Sequence, residues 1–336
     1  QKYLGKKLNH DSDIQYLPQG TEAYLTHGME DYFEPAIHIR HNDNNSSLLL
    51  KYVDHSSNAI SNGVNETVIT LKDDKYPVTV KLHYVAYGKE NIIRAFSEIS
   101  HEEKKPVILC KYASSMLHLN SSKYFLTEFS GDWAHEANVT ERELAFGKKV
   151  IDTKLGARAN MFVSPFFQLA LDNPSQENAG EVLVGTIGWT GNFRFTFEVD
   201  NKNELRIISG INPYDSEYSL PAKEVFRTPD FYFTYSTQGK GEASRNFHDW
   251  ARNHQVKNGN DTRMTLLNNW ESTYFDFDEN KLIGLMDEAT KLGVDMFLLD
   301  DGWFANKYPR SSDHQGLGDW EETADKLPNG VGRLVE

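Results

Sequence analysis

Residues 294–304, Val-Asp-Met-Phe-Leu-Leu-Asp-Asp-Gly-Trp-Phe, set a short apolar strand directly against two carboxylates, a glycine and an aromatic pair. Strands of this kind belong to parallel sheets covered on both faces. Such sheets gather their chemistry at the carboxyl ends of their strands. Asp300 and Asp301 offer two acceptors for sugar hydroxyls beside the flat ring of Trp303. The plainer alternative is that Asp300 opens a turn and Trp303 fills core, since Asp commonly starts turns. Two adjacent carboxylates repel each other, which a simple turn does not require.

The preceding residues supply a partner for that strand. Residues 266–270 read as a second short strand ending at Trp270, and Asp278 reads as a helix cap. From there Leu282, Leu285, Met286 and Ala289 recur at helical spacing, and Gly293 suits the position after the helix. Strand, helix and strand form a βαβ unit, whose crossover is right-handed in nearly all cases. That unit places Trp270 at the same rim as Asp300 and Asp301. A polar loop follows, and Pro328-Asn329-Gly330 precedes the start of a further helix.

The first 235 residues have a different grain. Segments 67–71, 78–87, 92–99, 107–112, 182–189, 193–199, 205–208 and 231–235 alternate and are rich in β-branched and aromatic residues. Turn-forming clusters such as Asp73-Asp74 and Asp172-Asn173-Pro174 separate them. This pattern predicts a large antiparallel β-sandwich over residues 1–240. Residues 241–254 read as an amphipathic helix with Phe247, Trp250 and Ala251 on one face, and the helix with its polar tail forms a connector over 241–261. Residues 262–336 then hold two βα units. A (β/α)8 barrel needs about 250 residues, so only its start fits there.

A net charge of −14 argues against nucleic acid and anionic membranes as partners. No apolar run approaches the roughly 20 residues of a membrane span. Cys110 is the single cysteine, which excludes an internal disulfide, and its apolar flanks predict a buried strand thiol. The histidines do not suggest a metal. His38 and His41 are three apart on an expected strand, which turns their rings to opposite faces. His248 and His254 lie six apart on a helix, which is not ligand spacing.

Five motifs stand in order toward the end: Leu267-Asn268-Asn269-Trp270-Glu271, Tyr274-Phe275-Asp276-Phe277, Leu299-Asp300-Asp301-Gly302-Trp303-Phe304, Leu317-Gly318-Asp319-Trp320 and Lys326-Leu327-Pro328-Asn329-Gly330. With them the chain resembles family 36 α-galactosidases. A looser likeness runs upstream through Gly131-Asp132-Trp133, Asn192-Phe193, Gly210-Ile211-Asn212-Pro213 and residues 31–41. The resemblance implies a retaining enzyme, free of cofactor, acting on terminal α-galactosyl groups of oligosaccharides such as melibiose and raffinose. It implies that Asp300 and Asp301 bind the galactose 4- and 6-hydroxyls and that Trp270 walls the sugar site. Trp303 reads as packing first and as a sugar contact second, Asp319 and Trp320 as shaping the loop, Glu271 and Asp276 as capping and strand-end bonding.

The same resemblance implies that the catalytic carboxylates come from later barrel strands, beyond Glu336, so that these 336 residues alone are inactive. Bacterial members imply a cytoplasmic homotetramer, in which one sandwich helps to close a neighbour's site. Residues 9–19, where a loop toward that neighbour is expected, look short. An α-N-acetylgalactosaminidase, a galactosyltransferase and a non-catalytic sugar-binding or assembly fragment remain open alternatives at this stage.

Overall fold

All eight segments expected as strands are strands, several of them longer than the alternation indicated. The computed structural model describes residues 22–28 and 33–336, and the chain divides into two units, Gln1–Gly259 and Asn260–Glu336. Residues 9–19 and 31–32 lie outside the described residues.

In the first unit one sheet runs Ile37–Arg40, Val107–Asn120, Glu204–Ile211, Phe193–Val199 and Gly147–Asp152, with Tyr218–Leu220 paired to Val107–Asn120. The other runs Lys51–Ser61, Val64–Lys72, Val78–Tyr87, Ile92–His101, Asp230–Ser236, Glu181–Gly188, Val163–Leu171, Tyr124–Ser130 and Asn138–Glu143. Val225–Arg227 pairs with Ile92–His101 beside that path. The pairings within both sheets are antiparallel.

The alternation explains the packing. Val78, Val80 and Leu82 are buried, while Lys81 between them is exposed. They meet Ile37, Ile39, Leu109 and Ile208 in one core cluster. Phe167, Phe193, Phe195, Phe197 and Phe231 dominate a second, with Phe167 edge-on to Phe197 at 4.9 Å. Each such side chain contributes about 1.5–3 kcal/mol through burial.

Of the strands that escaped the pattern, which include Tyr124–Ser130 and Gly147–Asp152, three did so for plain physical reasons. Lys51–Ser61 and Asn138–Glu143 are exposed at every position, so they carry no alternation to read. Val163–Leu171 contains Pro165, a strand breaker, and a register shift between Val163 and Phe167 absorbs it.

The expected amphipathic helix spans Gly239–Trp250 and ends in a π-helical turn, Ala251–Gln255. It is no free connector. Ala243 and Phe247 pack on Ala170, Val182 and Val184, and Trp250 packs on Ile92 and Tyr232. Gly239 opens it at φ +82°, where a Cβ would lie 2.6 Å from the Ala179 nitrogen, so only glycine fits.

One smaller expectation, that of a buried thiol, needs correction. Cys110 is half-buried, its Sγ 3.7 Å from a Glu217 oxygen, and that partial burial still pushes the thiol pKa up. The His38 ring lies tilted against His27 at 3.9 Å, and His41, just past the strand, is buried and bonded to Glu103 at 2.7 Å.

The second unit is a βαβ unit with parallel strands Leu266–Asn268 and Met296–Leu298, in register from Leu266 opposite Met296. Between them lie the single turn Trp270–Thr273 and the helix Glu279–Lys291. Asp278 caps that helix by accepting from the Lys281 N–H at 2.8 Å. Phe277, Leu282 and Leu327 form the local core, with Phe297, Leu299 and Trp303 against it. The strand was expected to be covered on both faces. Its other face is instead open among the described residues, with Met296 and Leu298 42% and 43% exposed.

Candidate functional site

The site is built at the carboxyl ends of the two parallel strands. Leu266–Asn268 delivers Asn268 and Asn269, and Met296–Leu298 delivers Asp300 and Asp301. Asn269 is wholly buried and ties the strand ends together: its Oδ1 accepts the Asp300 N–H at 2.8 Å, and its own N–H donates to the Leu298 carbonyl at 3.3 Å. Asn268 turns its amide the other way. Its Nδ2 donates to Asp300 Oδ2 at 2.5 Å, and its Oδ1 accepts the Trp270 N–H at 2.8 Å. One asparagine thus joins the first carboxylate to the tryptophan backbone.

Asp300 Oδ1 accepts the Asp301 N–H at 2.7 Å, and Asp301 Oδ1 accepts the Gly302 N–H at 2.6 Å. The sharp turn this produces needs Gly302, which sits at φ +93° with Phe275, Lys326 and Phe277 atoms 3.0–3.3 Å from where a Cβ would stand. Arg310 grips Asp301 as a fork, Nε to Oδ1 and Nη2 to Oδ2, both at 2.5 Å. That guanidinium bond holds the Asp301 carboxyl below the usual carboxylate range, against a smaller opposing push from burial. The repulsion expected between the two carboxylates is thereby offset.

Arg310 is itself locked. It is 6% exposed, and its Nη1 donates to the carbonyls of Ser312 at 3.2 Å and Gln315 at 2.6 Å. Lys326 draws three segments together, donating to the carbonyls of Phe275 and Gly302 at 2.9 and 3.0 Å and reaching that of Arg310 at 3.5 Å. Burial pushes its ammonium pKa down.

The rings divide in two. Trp270 is half-buried and stands edge-on to Tyr274 at 5.3 Å and Phe275 at 4.9 Å. Trp303 leans on the core of Phe277, Leu282 and Leu327. The Asp319 carboxylate accepts the N–H groups of Lys307 and Tyr308, each at 3.0 Å, while Trp320 is exposed and lies 4.7 Å from the Phe304 ring. Glu271 accepts from the Tyr274 hydroxyl at 3.1 Å. Asp276 was expected to bond a strand end; it is instead almost fully exposed, beside Lys281 at 3.4 Å. Tyr274, between them, holds φ at +48°, a strained conformation of the kind that clusters at functional sites.

Sequence reasoning named the carboxylates and Trp270 but assigned no role to Asn268, Asn269, Arg310 or Lys326. The asparagines and Lys326 stand inside the quoted motifs. Arg310 had only its charge to mark it, in a loop of charged and polar residues.

In the first unit, Asn212 is wholly buried and donates to the Thr153 carbonyl at 2.9 Å and Asp152 at 3.2 Å, while Asn192 accepts the Gly156 N–H at 2.7 Å. Those motifs therefore fasten strand ends. Trp133 is 83% exposed.

Comparison with known proteins gives two family matches, the glycosyl hydrolase family 36 N-terminal domain over residues 2–221 and melibiase over residues 225–336. Alpha-galactosidase Mel36A of Lactobacillus acidophilus is 30% identical over 99% of this chain and 47% of its own length. Alpha-galactosidase AgaA of Geobacillus stearothermophilus is also 30% identical, over 94% and 45%. The chain thus spans under half the length of these relatives. The crystal structure of AgaA superposes with a TM-score of 0.84 at 30% identity, over 92% of this chain and 45% of that one. A variant of AgaA in complex with raffinose gives 0.85 at 29%, over 97% and 47%.

Proposed function

The chain belongs to glycoside hydrolase family 36, and on that premise we propose that the complete protein is an α-galactosidase that removes terminal α-galactosyl groups from oligosaccharides of the raffinose type, with retention. The observation that carries this reading is the rigid pair Asp300–Asp301 beside Trp270 at the strand ends, each carboxylate held by neutral or cationic donors.

Galactose differs from glucose in its axial 4-hydroxyl, which lies close to the 6-hydroxyl. Two adjacent carboxylates accept from both, and each charge-assisted bond is worth roughly 1.5–3 kcal/mol. A sugar with an equatorial 4-hydroxyl leaves an acceptor unpaired, and that penalty discriminates. Trp270 covers an apolar sugar face and excludes water.

Asp300 and Asp301 serve as binders in this reading. A retaining enzyme sets its nucleophile and its acid/base about 5 Å apart across the sugar, whereas these two carboxylates are neighbours in sequence on one side, both already engaged. The pair that breaks the bond is assigned to later strands of a (β/α)8 barrel, and these 336 residues alone to inactivity. The proposal extends to a cytoplasmic homo-oligomer, a tetramer by family likeness.

Asp300→Asn in the complete enzyme tests the reading. It keeps the shape and removes the charge, and is expected to weaken galactose inhibition and kcat/KM in parallel by roughly ten- to hundred-fold. A trapped glycosyl-enzyme intermediate should remain detectable. Unchanged galactose affinity in a folded variant would mean that Asp300 is only a turn former.

A further inference from the structure

We propose that Arg310 is a positioning residue of the sugar site, one that fixes the plane of the Asp301 carboxylate, leaves it a single outward acceptor position, and couples it to the Trp270 wall. This inference rests on the galactose-binding reading of the Asp pair.

An ionised carboxylate has about four lone-pair positions. At Asp301, Oδ1 receives the Gly302 N–H and Arg310 Nε, and Oδ2 receives Arg310 Nη2. Three positions are taken, and one remains, on Oδ2. At Asp300, Oδ1 receives the Asp301 N–H and Oδ2 receives Asn268 Nδ2, so one position remains on each oxygen. The pair is therefore unequal. Asp301 takes one sugar hydroxyl, and Asp300 has room for two.

What makes Asp301 directional is the rigidity of its partner. Four donor contacts of Arg310 are spent, two on Asp301 and two on the carbonyls of Ser312 and Gln315. Its guanidinium carbon lies 5.5 Å from the Phe275 ring centre and 5.4 Å from that of Phe304. Phe275 in turn meets Trp270 edge-on at 4.9 Å with the planes at 90°. One buried arginine thus touches the carboxylate through its fork and the aromatic wall through one intervening ring. Lysine cannot reproduce this, because its ammonium is a point charge without a planar fork.

The test uses the complete enzyme, with galactose as the calorimetric probe and a chromogenic α-galactoside as substrate. Arg310→Gln should weaken galactose binding roughly ten- to hundred-fold, with the loss appearing mainly in KM, because hydroxyl contacts held in ground and transition states alike act uniformly. It should also move the acid limb of galactose binding to higher pH, since Asp301 loses the cation that keeps it ionised. A residue that only supports the loop would not move that limb. Arg310→Lys should keep the limb near its wild-type position while binding still weakens.

Unchanged galactose affinity and an unmoved limb in Arg310→Gln would overturn the inference. So would failure of both variants to show the wild-type circular dichroism spectrum, which would make Arg310 a folding residue. The underlying reading fails separately: Asp300→Asn with unchanged affinity sinks the site itself, whereas a weakened Asp300→Asn beside a normal Arg310→Gln sinks only the role of the arginine.

Discussion

Each unit of the chain contains an Asp–Arg pair whose arginine is buried, and these two are built to different ends. In the sandwich, Arg206 and Asp200 are 1% and 0% exposed and meet at a single long contact of 3.4 Å. Arg206 Nε and Nη2 have no hydrogen-bond partner among the described residues, and the guanidinium lies 3.8 Å over the Phe33 ring. Asp200 spends its Oδ1 on the N–H groups of Lys202 and Glu204. In the βαβ unit, Arg310 makes a full fork, and the Asp301 side chain is still 25% exposed. A buried pair with donors to spare stabilises little and cannot reach a ligand. A satisfied pair with one open oxygen can present that oxygen to solvent. Asp301 combines an exposed acceptor with an arginine that makes four donor contacts, which the Arg206–Asp200 pair does not.

The contrast between the units is most severe if they are separated. Residues 1–259 should unfold in a cooperative thermal transition, because two sheets close their own core. Residues 260–336 should show none, since a two-stranded sheet with Met296, Leu298 and Leu266 exposed buries too little. Differential scanning calorimetry of the two pieces decides it, and a sharp endotherm from the second would break the comparison.

Next in size is Arg206→Met. Removing one partner of a buried pair costs about 3–5 kcal/mol, to be read as a lowered urea midpoint at unchanged slope; a loss below about 1 kcal/mol would show that the pair is solvated after all.

Glu34 sharpens the same contrast through pH. Burial pushes its carboxyl up, but Lys111 and Lys148, each 2.7 Å away, outweigh that and hold it down to about 2. With a folded value below the unfolded one, its stabilisation is present above roughly pH 4.3 and fades as pH falls toward 2. Glu34→Gln should therefore flatten the decline of sandwich stability between those values, and an unaltered acid denaturation curve would count against it. The smallest effect belongs to the helix cap, where Asp278→Ala should cost about 1 kcal/mol, measured by chemical denaturation of the whole chain.

Legibility followed the same division. In the sandwich, the strands with the cleanest one-sided burial announced themselves: Val78–Tyr87 and Phe193–Val199 have the bounds expected of them, whereas Tyr124–Ser130, though it buries Tyr124 and Leu126, was missed. Strands exposed along their length, such as Lys51–Ser61, left no trace. In the βαβ unit the helix Glu279–Lys291 with its cap and its Gly293 stop was readable from spacing alone. Asp300, Asp301 and Trp270 could be placed near one another from sequence because a βαβ unit sets the carboxyl ends of its two strands side by side. Arg310 was not, because its partner lies nine residues back across a loop whose path no local rule fixes. The family likeness supplied the roles proposed for the carboxylates, and geometry supplied the residues that hold them.

Gly302 gives the site an unusual mutational profile. A single methyl group there would press on Phe275 at 3.0 Å and Lys326 at 3.3 Å. Phe275 abuts both Trp270 and Arg310, so the displacement would reach the ring and the carboxylate in one step. A substitution at this position therefore cannot shift Trp270 while sparing the Asp301–Arg310 pair.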